Sequence, residues 1–284
     1  MILIDCHTHT QYSMDSEADI IACAERAAEL GLSAWAITDH CECDAWYTED
    51  HYTPEQKKYL DYYDYRRDFL ASAEAVTALK EKYAGRLNIL CGVEMGQPES
   101  DPAVAEIITA DKRLDFIIGS AHRIRKEMDF YCIDYDKMDM DGIYDLLERY
   151  FLEVNEMCRI NCFDVLGHLT YSLRYMKQRH GIEADISRFD DIIADTFRIL
   201  AQNGKGIEIN TSGLRQGFGD TFPGLKYVKL FREKGGEILS IGSDAHTVED
   251  IGKNVREAEE IALEAGFTRL CYFRERKPVF INIK

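Results

Sequence analysis

His7, His9, His40, Glu94, His122, His168, Asp244 and His246 all stand at or just beyond the ends of short apolar runs, and amphipathic stretches of helical period separate those runs. A chain that alternates strand and helix in this way builds a mostly parallel sheet, because parallel neighbours must be joined by a crossover. If that sheet closes on itself, the C-terminal ends of all its strands share one rim. Eight imidazole and carboxylate side chains scattered along the chain would then meet there.

The apolar runs predict strands at 2–4, 33–37, 88–93, 115–119, 162–166, 206–209 and 237–241, with a further β-like run at 279–283. Helices are expected at 17–30, closed by Gly31 in the C′ position, from Thr53-Pro54-Glu55 to Gly85, and at 247–265. The expected class is α/β, a barrel of seven strands. No linker rich in Pro, Gly or Ser, internal repeat or low-complexity segment interrupts the 284 residues, so a single domain over 1–284 is expected. Insertions are expected near 41–68 and 170–190. The first is dense in acids and aromatics, including Asp44, Trp46, Tyr47, Glu49, Asp50 and Tyr52.

His7 and His9 alternate on an extended segment, so both imidazoles face one side and can serve one ion, while Cys6 and Thr8 point away. Six of the eight histidines sit on the predicted rim; His51 and His180 fall in the insertions. The set offers imidazole nitrogens and carboxylate oxygens without an obvious thiolate, which suits zinc, manganese or iron. It also exceeds the needs of one ion, and a carboxylate such as Glu94 can bridge two.

Composition narrows the substrate. With 34 basic against 51 acidic residues the net charge is -17, which repels a nucleic-acid backbone or an anionic membrane and favours a small molecule. Nine scattered cysteines without a Cys-x-x-Cys pair read as reduced thiols. The N-terminus opens on a core strand rather than a leader, and no run is long enough to span a membrane, so the cytoplasm is the expected compartment.

His7-Thr-His9, Asp15, Thr38-Asp39-His40, Glu94, His122, Gly167-His168 and Ser243-Asp244-Ala245-His246 resemble, in order and strand context, the motif series of the polymerase and histidinol phosphatase (PHP) family. The resemblance implies a distorted (β/α)7 TIM-like barrel and three divalent metal ions. It assigns His7, His9, Glu94 and Asp244 to one ion, Glu94, His122 and His168 to a second, and Asp15, His40 and His246 to a third. Glu208-Ile-Asn210-Thr-Ser-Gly-Leu-Arg215 and Phe163-Asp-Val-Leu-Gly-His168 are similar to the stand-alone histidinol-phosphatase branch, which implies hydrolysis of the phosphomonoester L-histidinol phosphate.

On that resemblance Glu94, Asp15, His246 and Arg215 form the catalytic set. Arg215 and Arg123 are phosphate-binding candidates, because a guanidinium fork matches phosphate oxygens; a solvated surface arginine is the alternative for each. Trp46, Tyr47 or Tyr52 has the chemistry to receive the amine and imidazole of such a substrate, against the alternative of a solvated lid or an oligomer contact. The implied partner is a small phosphate ester, with no long nucleic acid and no membrane; the oligomeric state is open. Competing readings keep the metals but take a short nucleotide diester, or see a metal-dependent amidohydrolase or a metal-binding module without catalysis.

Overall fold

A computed structural model describes residues 3–45 and 64–283. Ten strands occur among them: β1 (Ile4–Asp5), β2 (Ala34–Ile37), β3 (His40–Glu42), β4 (Ile89–Gly96), β5 (Phe116–Ser120), β6 (Val165–Leu166), β7 (Gly206–Asn210), β8 (Leu239–Gly242), β9 (Arg269–Arg274) and β10 (Lys277–Asn282). Seven form a parallel sheet in the order β1-β2-β4-β5-β6-β7-β8. The last returns to the first: Cys6 N donates to Ile241 O at 2.8 Å, Asp244 N to His7 O at 2.7 Å and His9 N to Ala245 O at 2.8 Å. The result is the distorted barrel expected from the sequence.

The seven barrel strands are short and buried throughout, as expected when helices cover the outside and side chains fill the inside. Trp35, Phe116, Phe163, Phe197 and Phe231 are among the largest side chains in this core. The flanking helices obey the same economy. Ile20–Glu29 is capped by the Asp19 carboxylate, which accepts from Ile21 N and Ala22 N, and buries Ile20, Cys23, Ala24 and Ala27 as one stripe. That cap starts the helix three residues later than the sequence pattern suggests. The helix Met140–Ile160 buries a longer stripe and stops at Asn161, in the left-handed region.

Two elements differ from expectation. Strand β4 runs on through Glu94 to Gly96, and its upper half carries the extra strand β3 in parallel register, with His40 opposite Glu94 and Glu42 opposite Gly96. The β-like run near 279–283 is a strand, β10, which lies outside the barrel and pairs antiparallel with β9, a strand the sequence reading did not find, as a hairpin. Its tight turn is Glu275-Arg276, both at positive φ, a pairing that lacks the Asn-Gly signal by which such turns are read. The expected helix at 247–265 is regular from Val255 to Glu264. That expected from Thr53 is described only as Tyr65–Lys82, and Trp46, Tyr47 and Tyr52 lie outside the described residues.

The hairpin tip closes the N-terminal end of the barrel. Glu275 N donates to Asp115 Oδ1 at 3.0 Å, and the Arg276 guanidinium donates to both oxygens of Asp164, at 2.6 and 3.0 Å. Asp115 and Asp164 immediately precede β5 and β6, and Phe273 stacks on Phe116 with ring centroids 5.2 Å apart. Arg276→Ala leaves the buried Asp164 carboxylate short of its main partner, so it should cost about 2–3 kcal/mol, read as a lower urea midpoint at unchanged slope.

Glu99, in the turn after β4, is 8% exposed, and its Oε2 has no hydrogen-bond partner. Burial, aided by the nearby Glu153 charge, raises its pKa to about 7. The folded state therefore holds this proton more tightly than the unfolded chain, so the stability linked to it is complete below the ordinary carboxylate range and is lost as pH rises through about 7. Glu99→Gln should match wild type near pH 5 and exceed it at pH 8.5, by up to roughly 3 kcal/mol in denaturant titrations.

Candidate metal centre

Beyond β1 the chain stays extended, and a parallel bridge from Thr8 to Ala245 fixes its course. Thr8 turns away and donates to Ala36 O at 2.7 Å, so His7 and His9 face inward together, with their Nε2 atoms 3.1 Å apart. Their outer nitrogens are committed. His7 Nδ1 donates to Glu208 Oε1 at 2.7 Å. His9 Nδ1 donates to Ser13 Oγ at 2.9 Å, because that hydroxyl already gives its proton to Asp39 Oδ1 at 2.8 Å. Asp244 Oδ1 lies 3.4 Å from His9 Nε2 and 3.8 Å from His7 Nε2.

Glu94 stands at the middle. Its Oε1 is 2.7 Å from His168 Nε2, 3.0 Å from His122 Nε2 and 2.7 Å from the Ser120 hydroxyl. Its Oε2 is 2.9 Å from His40 Nδ1, 3.3 Å from His7 Nε2 and 3.5 Å from His9 Nε2. The two oxygens of one carboxylate thus address different imidazoles. On the outer side, Asp15 lies 3.5 Å from His40 Nε2 and 3.1 Å from His246 Nε2. Asp244 is held at φ 55, and Asn210 Nδ2 donates to its Oδ2 at 3.2 Å.

This donor set fits divalent cations on its own evidence. His9 has spent its ring proton on Ser13, and His7 has donated toward Glu208. Two nitrogen lone pairs 3.1 Å apart, with carboxylate oxygens around them, repel unless positive charge lies among them. Four overlapping groups each bring three donor atoms within 4.8 Å of one another: His9, His40 and His246; His7, Glu94 and His168; His7, His9 and Asp244; His40, Glu94 and His122. All are nitrogen and oxygen donors, as zinc, manganese or iron accepts.

The field agrees. Burial works against charge throughout, yet His122, His7 and His40 hold the Glu94 carboxyl well below its usual range, and His7 with His9 and His246 does the same for Asp244. Burial also disfavours protonation of His7, His40 and His122, but the carboxylates around them outweigh it and push them above the ordinary histidine value. His9 goes the other way, down to about 3, through burial and the neighbouring His246 and His40.

The two arginines singled out in the sequence are both committed within the chain. Arg215 donates to the carbonyls of Ser243 and Asp244, at 2.6 and 2.7 Å, and to Asp250 at 3.2 Å, so it braces the loop that carries Asp244. Arg123 is paired with Asp44. Arg174, six residues beyond His168, differs: its buried Nε has no hydrogen-bond partner, and the preceding turn places the Tyr171 ring 4.9 Å from His168 and 5.6 Å from His122. His180, off the rim, pairs with Asp136 at 2.8 Å.

Sequence reasoning missed Glu42, Glu208, Ser13 and Asp39 as supports. A signal existed for two of them. Glu42 follows His40 by two residues, and Glu208 interrupts the apolar run Gly-Ile-Glu-Ile-Asn, where an interior carboxylate needs a reason.

The family profile described as PHP domain matches residues 5–212. A probable histidinol-phosphatase of Thermotoga maritima is 29% identical over 257 residues, covering 90% of this chain and 89% of its own. A histidinol-phosphatase of Lactococcus lactis is 24% identical over 290 residues, covering 96% and 95%. The crystal structure of a histidinol phosphate phosphatase from Lactococcus lactis, complexed with zinc, L-histidinol and phosphate, superposes with a TM-score of 0.76 over 98% of both chains at 20% identity.

Asp39 accepts from Thr10 N at 2.6 Å, from Ser13 Oγ at 2.8 Å and from Ser72 Oγ at 2.6 Å, and so ties the His9 loop to the helix Tyr65–Lys82. Asp39→Ala strands four buried donors, the Thr10 hydroxyl among them, and should cost roughly 3–5 kcal/mol, visible as a large fall in melting temperature.

Proposed function

Because the chain belongs to the PHP domain family, we propose that it is a metal-dependent phosphomonoesterase that hydrolyses L-histidinol phosphate to L-histidinol and phosphate. The observation that carries this is Glu94, whose two oxygens face separate sets of imidazoles at 2.7–3.0 Å and 2.9–3.5 Å. A carboxylate so placed is built to join two cation sites. The relatives named histidinol-phosphatase, which the chain matches over nearly its whole length, support the choice of substrate.

The protein's residues divide into three tasks. His7, His9, Glu94 and Asp244 would hold one ion, Glu94, His122 and His168 a second, and Asp15, His40 and His246 a third. When bound, the ions supply Lewis-acid activation of water and neutralise phosphate charge. Glu94 fixes the spacing of the first two sites. Arg174, whose buried Nε has no hydrogen-bond partner and whose guanidinium lies 4.9 Å from the Tyr175 ring centroid, is a further candidate to meet the phosphate. Arg215 positions Asp244 through its backbone. Tyr171 walls the centre beside His122 and His168.

The wider setting follows from the same reading. A small anionic ester suits a protein of net charge -17, whereas a long nucleic acid does not. All nine cysteines are free thiols, which supports a reducing cytoplasm. No described helix is long and apolar enough to cross a membrane.

The test is release of inorganic phosphate from L-histidinol phosphate, beside other phosphomonoesters and one diester. Strong preference for histidinol phosphate, lost with chelator and restored by divalent metal, is expected. Bound metal with activity spread over other esters would move the substrate and keep the site. Glu94→Ala should abolish turnover and lower bound metal. Arg174→Ala should raise KM and cut kcat/KM by roughly 100-fold at full metal content, whereas Arg215→Ala should lose metal as well.

A further inference from the structure

We propose that Glu42 and Glu208 are positioning residues that fix the tautomers of His122 and His7, each held in place by a glycine that leaves room for its carboxylate. This rests on the metal-centre reading above and adds to it two residues outside the ligand set.

The two carboxylates share four features. Both are buried, Glu42 at 6% and Glu208 at 1% exposure. Each lies on the outer nitrogen of an imidazole whose inner nitrogen faces the centre: Glu42 Oε1 is 2.9 Å from His122 Nδ1, and Glu208 Oε1 is 2.7 Å from His7 Nδ1. Among the described residues, neither forms an ion pair with lysine or arginine; the basic partners are His122 and His40 for Glu42, and His7 for Glu208. And each occupies space that a side chain would otherwise fill. A Cβ added at Gly96 would overlap the Glu42 carboxylate, and one at Gly242 would overlap Glu208 and His7.

Register delivers the pairs. Glu42 sits opposite Gly96 where β3 runs along β4, and Gly242 sits opposite Asn210, two residues past Glu208, where β8 runs along β7. Each carboxylate's second oxygen is anchored too. Glu208 Oε2 accepts from His168 N at 3.0 Å, tying one ligand's ring to another's backbone. With the Gln97 amide turned to the orientation that satisfies its neighbours, Glu42 Oε2 accepts from its nitrogen, and its oxygen accepts from His122 N at 2.7 Å and Arg123 N at 3.1 Å. Burying a charge without compensation costs several kcal/mol. The compensation here is the imidazole N–H, and the consequence is geometric. With a proton held on Nδ1, Nε2 is the nitrogen of His7 and His122 left to face Glu94 and its neighbours and to take a metal ion.

The experiment uses the full-length protein carrying Glu42→Ala, Glu42→Gln, Glu208→Ala, Glu208→Gln or Gly96→Ala. Zinc affinity is measured by chelator competition, and the protonation of the histidine ring nitrogens by nitrogen-15 NMR of the zinc-loaded protein. The alanine variants should lose roughly 10–100-fold in zinc affinity, and the glutamine variants should recover most of it, because an amide oxygen accepts the same Nδ1 proton. Gly96→Ala should weaken zinc like Glu42→Ala and add little in that background. In the zinc-loaded protein the Nδ1–H of His122 should shift and exchange faster with water in Glu42→Ala; a merely structural role would lower melting temperature and leave it unchanged.

Wild-type zinc affinity in both alanine variants overturns the proposal while leaving the metal centre standing. So do glutamine variants as weak as alanine with one ion fewer bound, since the carboxylates would then be ligands themselves. A wild-type protein that binds no divalent ion defeats both readings.

Discussion

Everything on the upper face depends on one buried anion. Glu94 is 1% exposed and lies within 3.5 Å of five imidazoles, His7, His9, His40, His122 and His168. In low dielectric such a charge is tolerated only where positive charge is close on several sides. The barrel achieves this by letting β4 outrun its neighbours, so that Glu94 enters the ring of strand ends rather than stopping below it. Strand β3 then exists because the longer β4 offers an unpaired edge, and it brings His40 and Glu42 with it.

Around that anion the supports are built in layers. Ser13 and Asp39 behind His9, Glu208 behind His7, Glu42 behind His122 and Asn210 behind Asp244 each accept or donate on the side away from the centre. Ring nitrogens committed in this way cannot rotate freely, so the inner nitrogens converge before any ion arrives. The same commitment explains Arg215, which bonds the carbonyls of Ser243 and Asp244.

The opposite end of the barrel is organised for stability. There the charged groups find full partners: Asp164 with Arg276 and the Ile117 backbone, Asp115 with Lys80, the Cys91 backbone and the hairpin turn. Like-paired nitrogens are concentrated on the upper rim, whereas the carboxylates Asp115 and Asp164 are fully partnered on the lower. That division is what a closed parallel barrel permits, because its two ends are separated by a packed interior.

The sequence by itself determined the strand–helix alternation, the barrel class and the rim residues His7, His9, His40, Glu94, His122, His168, Asp244 and His246, because strand ends and metal-type side chains are local signals. It could not show how Glu94 divides its oxygens, since that depends on a register between strands far apart in the chain. Nor could it find β3, three residues stabilised only by the edge β4 presents, or the β9–β10 plug, whose Glu275-Arg276 turn carries no local signature. The arginines illustrate the same limit. A guanidinium near a rim motif suggests phosphate, but whether its donors are free is decided by the carbonyls and carboxylates that folding sets beside it. For Arg215 and Arg123 folding supplied such partners; for the Nε of Arg174 it did not.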